Sequence, residues 1–201
     1  MRLLIVSGFL GSGKTTLVLA LAKQLAAAGL RTCFIVNEVG EIGVDQEVMR
    51  EGGLDVWEIT SGCICCSLGS DLIVALREIS ERFDPAVVIV EASGVALPAN
   101  VVDALANYRG RPFSERRLVT VIDPTRLELL LAVMTPFAEA QISQADEIVV
   151  TRQDEATSQE LARAARTAER LNAEAGLWRV TATDTQSLGP LLDYLVGRAI
   201  P

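Results

Sequence analysis

LLIVSGFLGSGKTTLVLALAKQLAAAG, residues 3–29, joins a short apolar run, a glycine-rich turn and a helix-length repeat of leucine and alanine. Within it GFLGSGKT, Gly8 to Thr15, fits the pattern G-x-x-x-x-G-K-[ST]. A strand before this pattern and a helix after it are what give the match its weight. Glycines let the backbone curl until successive N–H groups converge on a phosphate, and the helix N-terminus adds the positive end of its dipole. Lys14 would reach the outer phosphates and the Thr15 hydroxyl would hold Mg²⁺. The stretch therefore predicts a nucleotide site built at the end of a buried strand.

Outward from that stretch, apolar and β-branched runs recur at LLIVS (3–7), CFIVN (33–37), VWEIT (56–60), AVVIVEA (86–92), LVTVID (118–123), EIVVT (147–151) and WRVT (178–181). Continuous rather than alternating hydrophobicity marks strands buried on both faces. Between them, helical spacing predicts helices near 14–28, 69–82, 98–107, 125–144 with a break before Pro136, 157–174 and 187–198. The expected architecture is an α/β fold of the P-loop NTPase kind, a doubly wound, mostly parallel sheet with helices on both faces. Residues 1–201 read as one domain, with neither repeat nor linker.

Composition narrows the function. Eighteen basic against 26 acidic residues give a net charge of −8, which would repel a phosphate backbone and argues against nucleic acid as partner. No apolar run is long enough to span a membrane, and the glycines and Lys14 give the N-terminus a use other than as a signal peptide. Three of the four cysteines fall within GCICC, residues 62–66, too close together to staple distant segments, so a reducing cytoplasm is expected.

Three further segments carry chemistry. AVVIVEASG ends a strand in Glu91 with Gly94 close behind, placing a carboxylate where Mg²⁺ could be held and a glycine backbone where a terminal phosphate could be sensed. NEVGEIGVD, residues 37–45, collects three acids and two glycines in a loop. Cys63, Cys65 and Cys66 offer soft thiolates suited to Zn²⁺ and acceptable to cobalt, one ligand short of a tetrahedral set. The chain has no histidine to complete it; Glu38, Glu41, Asp45 or a partner could. Buried thiols in a core turn, or a reversible disulfide, are the competing readings of the cluster. Cys33, alone in an apolar run, reads as a small buried hydrophobe.

Taken in order, GFLGSGKTT, NEVGEIGVD, GCICCSL, VVIVEASG and ADEIVVTRQD resemble the CobW-type GTPases, metal-handling P-loop proteins related to the nickel-insertion GTPases of urease and hydrogenase. The resemblance implies that Gly8, Gly11, Ser12, Gly13, Lys14, Thr15 and Thr16 bind the triphosphate and that Asn37 and Glu38 form a switch near Mg²⁺. It makes Glu91 to Gly94 the second switch. Thr151 to Asp154 stands where the family reads guanine, with Arg152 in place of the usual Lys and Asp154 as acceptor for the base. Val180 to Asp184 would form the other wall of the base pocket.

By that resemblance the chain is a slow GTPase whose nucleotide state governs binding and delivery of zinc or cobalt through the CxCC, with a client metalloprotein or cobalamin-related protein as partner. A homodimer across the nucleotide face would follow from the resemblance alone. Without histidine, hydrolysis would rest on positioning, Mg²⁺, Lys14 and a carboxylate, Glu38 or Glu91, that orients the water. A GTPase chaperone for a corrinoid protein, with the CxCC serving structure or redox chemistry, and a thiol metal buffer or redox sensor are the alternatives. The family's C-terminal domain is absent from these 201 residues. RGRP and ERR, between Tyr108 and Arg117, form a local basic patch that reads as a solvated loop or as a substitute partner surface.

Overall fold

The computed structural model describes residues 1–36, 55–58, 68–94 and 97–197. Seven strands form one sheet: β1 (Arg2–Gly8), β2 (Thr32–Val36), β3 (Asp55–Glu58), β4 (Val87–Glu91), β5 (Glu115–Ile122), β6 (Glu147–Val150) and β7 (Gly176–Arg179). Their order is β3-β2-β4-β1-β5-β6-β7, and every pairing is parallel. The helices are α1 (Lys14–Ala27), α2 (Leu68–Arg82), α3 (Pro98–Leu105), α4 (Leu127–Val133), α5 (Thr135–Ser143), α6 (Ser158–Leu171) and α7 (Thr185–Val196).

Strand β1 lies at the point where the winding changes direction. From it the chain crosses to β2 on one side, returns through β4, and then moves to β5 on the other side. Such a switch point opens a crevice outside the carboxyl ends of the strands, and the Gly8 turn emerges there.

Side-chain alternation along β1 explains why both faces must be covered. Leu4 and Val6 pack with Leu17, Leu21 and Leu25 of α1 and with Leu188, Leu191 and Leu195 of α7. Leu3 and Ile5 pack on the opposite face against Leu72, Leu76 and Ile79 of α2 and Val101 and Leu105 of α3. Beyond β5, a third cluster joins Ile122, Ile148 and Val150 to Leu127, Ile142, Ala164 and Ala168. Fully burying a side chain such as Leu17 contributes roughly 1.5–3 kcal/mol.

Helix ends carry their own signals. Thr157 and Glu160 form a reciprocal capping box at α6, Asp184 accepts from the Gln186 N–H at the start of α7, and Gly197 closes that helix in the left-handed conformation.

The break expected before Pro136 in the 125–144 region falls at Met134, where α4 meets α5, with Pro136 in the first turn of the second helix, where its missing N–H costs nothing. Two boundaries differ from the sequence reading. Strand β7 lies two residues earlier than WRVT; Val180 is buried and still bonds to the Val150 carbonyl, but has left the ladder. Strand β5 begins at Glu115, so ERR is a strand rather than a loop.

That last difference revises the basic patch. Arg117 donates through Nη1 to Glu147 Oε1 at 2.6 Å and to the Tyr194 hydroxyl at 2.8 Å, and through Nε to Glu115 Oε1 at 2.7 Å. Glu147 is 1% exposed and also accepts from Trp178 Nε1 at 2.7 Å. Arg111 is paired with Asp84. These two cations are thus internally neutralised.

The hydrogen bond from Arg117 lowers the Glu115 pKa from its ordinary 4.5, burial works the other way, and Arg2 adds to the lowering. A depressed carboxylate stabilises the fold fully above its unfolded value and loses that contribution as pH falls through the lower folded value. Arg117→Met would leave Glu147 buried without its cation, so a loss of about 3 kcal/mol is expected in urea unfolding at pH 7; an unchanged midpoint would show that the buried pair is neutral to the fold.

Candidate functional site

The glycine-rich turn is held by contacts at backbone level. At Gly8 a Cβ would fall 2.3 Å from the Val121 carbonyl oxygen, so the strand end can press against β5 only without a side chain. Gly13 takes the left-handed conformation, φ 88°, that opens α1. Ser12 N–H donates to the Phe9 carbonyl at 3.1 Å and closes the loop. From the far side Thr151 Oγ1 donates to the Ser12 carbonyl at 2.8 Å.

Inside the loop lies Lys14, buried, with Nζ donating to the Phe9 carbonyl at 3.0 Å. The Ser12 hydroxyl is buried without a hydrogen-bond partner among the described residues. A buried ammonium and an unsatisfied hydroxyl at a helix N-terminus fit an oxygen-rich anion such as a phosphate chain. Thr16, one residue beyond Thr15, is exposed at the first turn of α1.

Beside the loop, Thr15 Oγ1 donates to Glu91 Oε1 at 2.7 Å. Glu91 ends β4, in register with Val6 of β1, and is 1% exposed. A hydroxyl and a buried carboxylate meeting next to a phosphate loop suit a hard divalent cation such as Mg²⁺. Three residues on, a Cβ at Gly94 would fall 2.7 Å from the Leu10 backbone nitrogen, so the segment after β4 lies directly against the loop tip.

The opposite flank holds Thr151, Arg152 and Asp154 at the end of β6. Arg152 has a positive φ of 53°. Its guanidinium donates to Glu155 at 2.8 Å and to the Gly11 carbonyl at 3.4 Å, and lies 3.5 Å from Asp123 Oδ2. The arginine standing where a lysine was expected is thereby tied to the loop as well as to its own turn. Asp154 is exposed and accepts from Thr181 Oγ1 at 3.5 Å, which brings Thr181 of the 180–184 segment beside it.

Gly8, Gly11, Ser12, Gly13, Lys14, Thr15, Glu91, Gly94, Thr151 and Arg152 are therefore gathered round one loop. Asn37, Glu38, Glu41, Asp45, Cys63, Cys65 and Cys66 lie outside the described residues. Cys33 is buried in β2, as expected of a small hydrophobe. Sequence reasoning passed over two neighbours, Asp123 and Arg126. Asp123 is buried at the end of β5, accepting from the Thr125 N–H and hydroxyl at 2.9 and 2.7 Å, and Arg126 reaches the Leu10 carbonyl at 3.4 Å. An acid closing the apolar run LVTVID was the available signal, the same one that marked Glu91.

The chain matches the family described as CobW/HypB/UreG, nucleotide-binding domain, over residues 2–179. It is 39% identical over 107 residues to the zinc chaperone CobW of Sinorhizobium sp, covering 50% of this chain and 30% of that one. To the zinc chaperone YjiA of Escherichia coli K12 it is 28% identical over 189 residues, 90% of this chain and 57% of that one. It thus spans less than two thirds of the length of either relative. Among solved structures, the hydrogenase maturation factor HypB of Archaeoglobus fulgidus superposes with a TM-score of 0.73 at 18% identity, over 98% and 89% of the two chains. The Zn(II)-bound YjiA GTPase of E. coli does so at 0.67 and 21%, over 92% and 58%; at these identities the likeness shows the fold.

Gly94→Ala would push a methyl group into the Leu10 backbone. A cost of about 1–3 kcal/mol is expected from overpacking, together with a loss of triphosphate affinity on the order of tenfold from the displaced loop. Binding of a fluorescent triphosphate analogue checks this, and wild-type affinity would show that the contact does not shape the site.

Proposed function

Because the chain belongs to the CobW/HypB/UreG family of nucleotide-binding domains, we propose that it binds GTP with Mg²⁺, hydrolyses it slowly, and couples nucleotide state to binding and delivery of a transition metal, zinc or cobalt. The recipient would be a client metalloprotein. Relatives named zinc chaperones support this reading, as does one named a zinc-regulated GTPase metalloprotein activator, from Schizosaccharomyces pombe, 28% identical over 200 residues.

One observation carries the coupling. At the carboxyl edge of the sheet Val36 is in register with Glu91 on one side and Glu58 on the other. Strands β2 and β3, which precede Asn37–Asp45 and Cys63, Cys65 and Cys66 in sequence, thus end on the same sheet edge that holds Thr15, Glu91 and the phosphate loop. Metal ligands and nucleotide contacts that start from one edge can bias a shared two-state element.

Each described residue then has a task. Lys14 would leave the Phe9 carbonyl for the outer phosphate oxygens, and the Ser12 hydroxyl and loop N–H groups would complete the cradle. Thr15 and Glu91 would hold Mg²⁺, which when bound supplies charge neutralisation between the β and γ phosphates. Arg152 would lie along the base while its tie to Gly11 keeps base and phosphate ends in fixed relation. Asp154 would accept from guanine N1 and N2 groups, whose polarity adenine reverses.

The reading is tested by Zn²⁺ and Co²⁺ affinity of the reduced protein, by chelator competition, with Mg²⁺ and either a non-hydrolysable GTP analogue or GDP. Affinity about tenfold or more higher with the triphosphate is expected. Lys14→Ala should abolish that difference, and Cys65→Ser should weaken metal binding with nucleotide affinity kept. Equal affinities in the two nucleotide states would instead favour a thiol buffer, a redox sensor or a chaperone for a corrinoid protein. Asp154→Asn should lower the preference for GTP over ATP by about ten- to a hundredfold, checked by competition binding; an unchanged ratio would move base recognition elsewhere.

A further inference from the structure

We propose that Arg126 is a cation supplied from within the chain to the terminal phosphate, where it stabilises the charge that develops as the β–γ bond breaks. This rests on the nucleotide reading above and adds a residue to it.

Arg126 stands immediately before α4, in the turn that follows β5, with its backbone N–H on the Asp123 carbonyl at 3.3 Å. The side chain is exposed, and its Nη1 reaches the Leu10 carbonyl at 3.4 Å. A Cβ on Gly11 would fall 2.6 Å from that same nitrogen. The guanidinium thus lies on the tip of the phosphate loop, and the absence of a side chain at Gly11, a position the pattern leaves open, makes room for it.

Among the described residues two arginines touch this loop, and they differ in what else they hold. Arg152 is engaged by Glu155 and Asp123 as well as by Gly11. Arg126 makes no ion pair with an acid among the described residues. One long bond to a neutral carbonyl uses little of a five-donor group. It is also superfluous as a brace, since Gly8 against Val121 and Thr151 on Ser12 already fix the loop.

Placement at the terminal-phosphate end follows from Leu10. Its backbone nitrogen is approached by Gly94, at the end of the Glu91 segment, and its carbonyl by Arg126. Of the groups that would meet the outer phosphates and Mg²⁺, Lys14 lies on the carbonyl of Phe9, the residue before Leu10, and Thr15 bonds Glu91, three residues before Gly94. The Arg126 side chain is itself exposed beside Leu10, so it can turn from the carbonyl to a phosphate.

In hydrolysis a water oxygen bonds to the γ phosphorus while the bond from that phosphorus to the bridging oxygen breaks. The electron pair stays on the β phosphate of GDP, and the water's proton ends on the released phosphate. Arg126 neither gives nor takes a proton; its N–H groups would face oxygens whose charge changes during this step.

The test compares wild type with Arg126→Ala, Arg126→Gln and Arg126→Lys in the presence of Mg²⁺, measuring affinity for a fluorescent non-hydrolysable GTP analogue, affinity for fluorescent GDP, and single-turnover GTP hydrolysis at saturation. Arg126→Ala and Arg126→Gln should slow hydrolysis by roughly a hundredfold and weaken triphosphate binding by about tenfold, with GDP affinity essentially unchanged and Arg126→Lys recovering part of both losses. Equal weakening of GDP and triphosphate with an unchanged saturated rate would make Arg126 a brace of the loop and overturn the proposal, as would wild-type behaviour in all three variants. Failure of the wild-type protein to bind either nucleotide would overturn the nucleotide reading itself, and this inference with it.

Discussion

The structure turns on the close approach of the β1 end to β5. Where Gly8 meets the Val121 carbonyl there is no space for a side chain, and the same absence lets the chain curl into the loop that encloses Lys14. Thr151 Oγ1, just past the end of β6, fastens the loop by donating to the Ser12 carbonyl at 2.8 Å, with the Ile122 carbonyl 3.3 Å away as a second acceptor. Three adjacent parallel strands therefore cooperate to hold one turn. A buried ammonium inside it would be costly without the loop carbonyl beside it, so loop closure and Lys14 burial stand or fall together.

Polar groups are buried at both edges of the sheet to different effect. At the amino edge, Arg117 sits between Glu147 and Glu115, its charge spread over carboxylates on both sides and stacked 4.7 Å above the Tyr194 ring. Burial disfavours that cation, yet the hydrogen bonds to Glu115 and Tyr194 outweigh the cost and raise its pKa above the ordinary arginine value. Such an arrangement is internally complete and ties β5, β6 and α7 together. At the carboxyl edge, Glu91 meets the Thr15 hydroxyl beside a loop whose Ser12 hydroxyl has no hydrogen-bond partner among the described residues. Groups left in that condition are suited to an incoming ligand, since its binding would satisfy them.

Much of the fold was legible because parallel strands buried on both faces write themselves as unbroken apolar runs. LLIVS, VVIVE and EIVV each became a strand within a residue or two. Legibility failed where charge entered a strand. Glu115, Arg116 and Arg117 lengthen β5 at its exposed amino edge, and their role depends on Glu147 and Tyr194, which are 30 and 77 positions away in sequence. No local pattern could announce that partnership. The break expected before Pro136 was legible for the opposite reason, since a proline marks it locally, and it falls at Met134.

The sequence by itself determined the α/β class, the phosphate loop and its flanks, and the carboxylate that ends β4, because each is written in contiguous residues through hydrophobic period and glycine placement. Tertiary structure alone decided the strand order, and with it which ends would meet. Only the β4–β1–β5–β6 order sets Glu91 against Thr15, Gly94 against Leu10, and Arg126 and Arg152 against the loop tip. The physical reason is that such contacts come from backbone and side-chain atoms brought together by packing two faces of one sheet, and sequence spacing carries no record of distances across it.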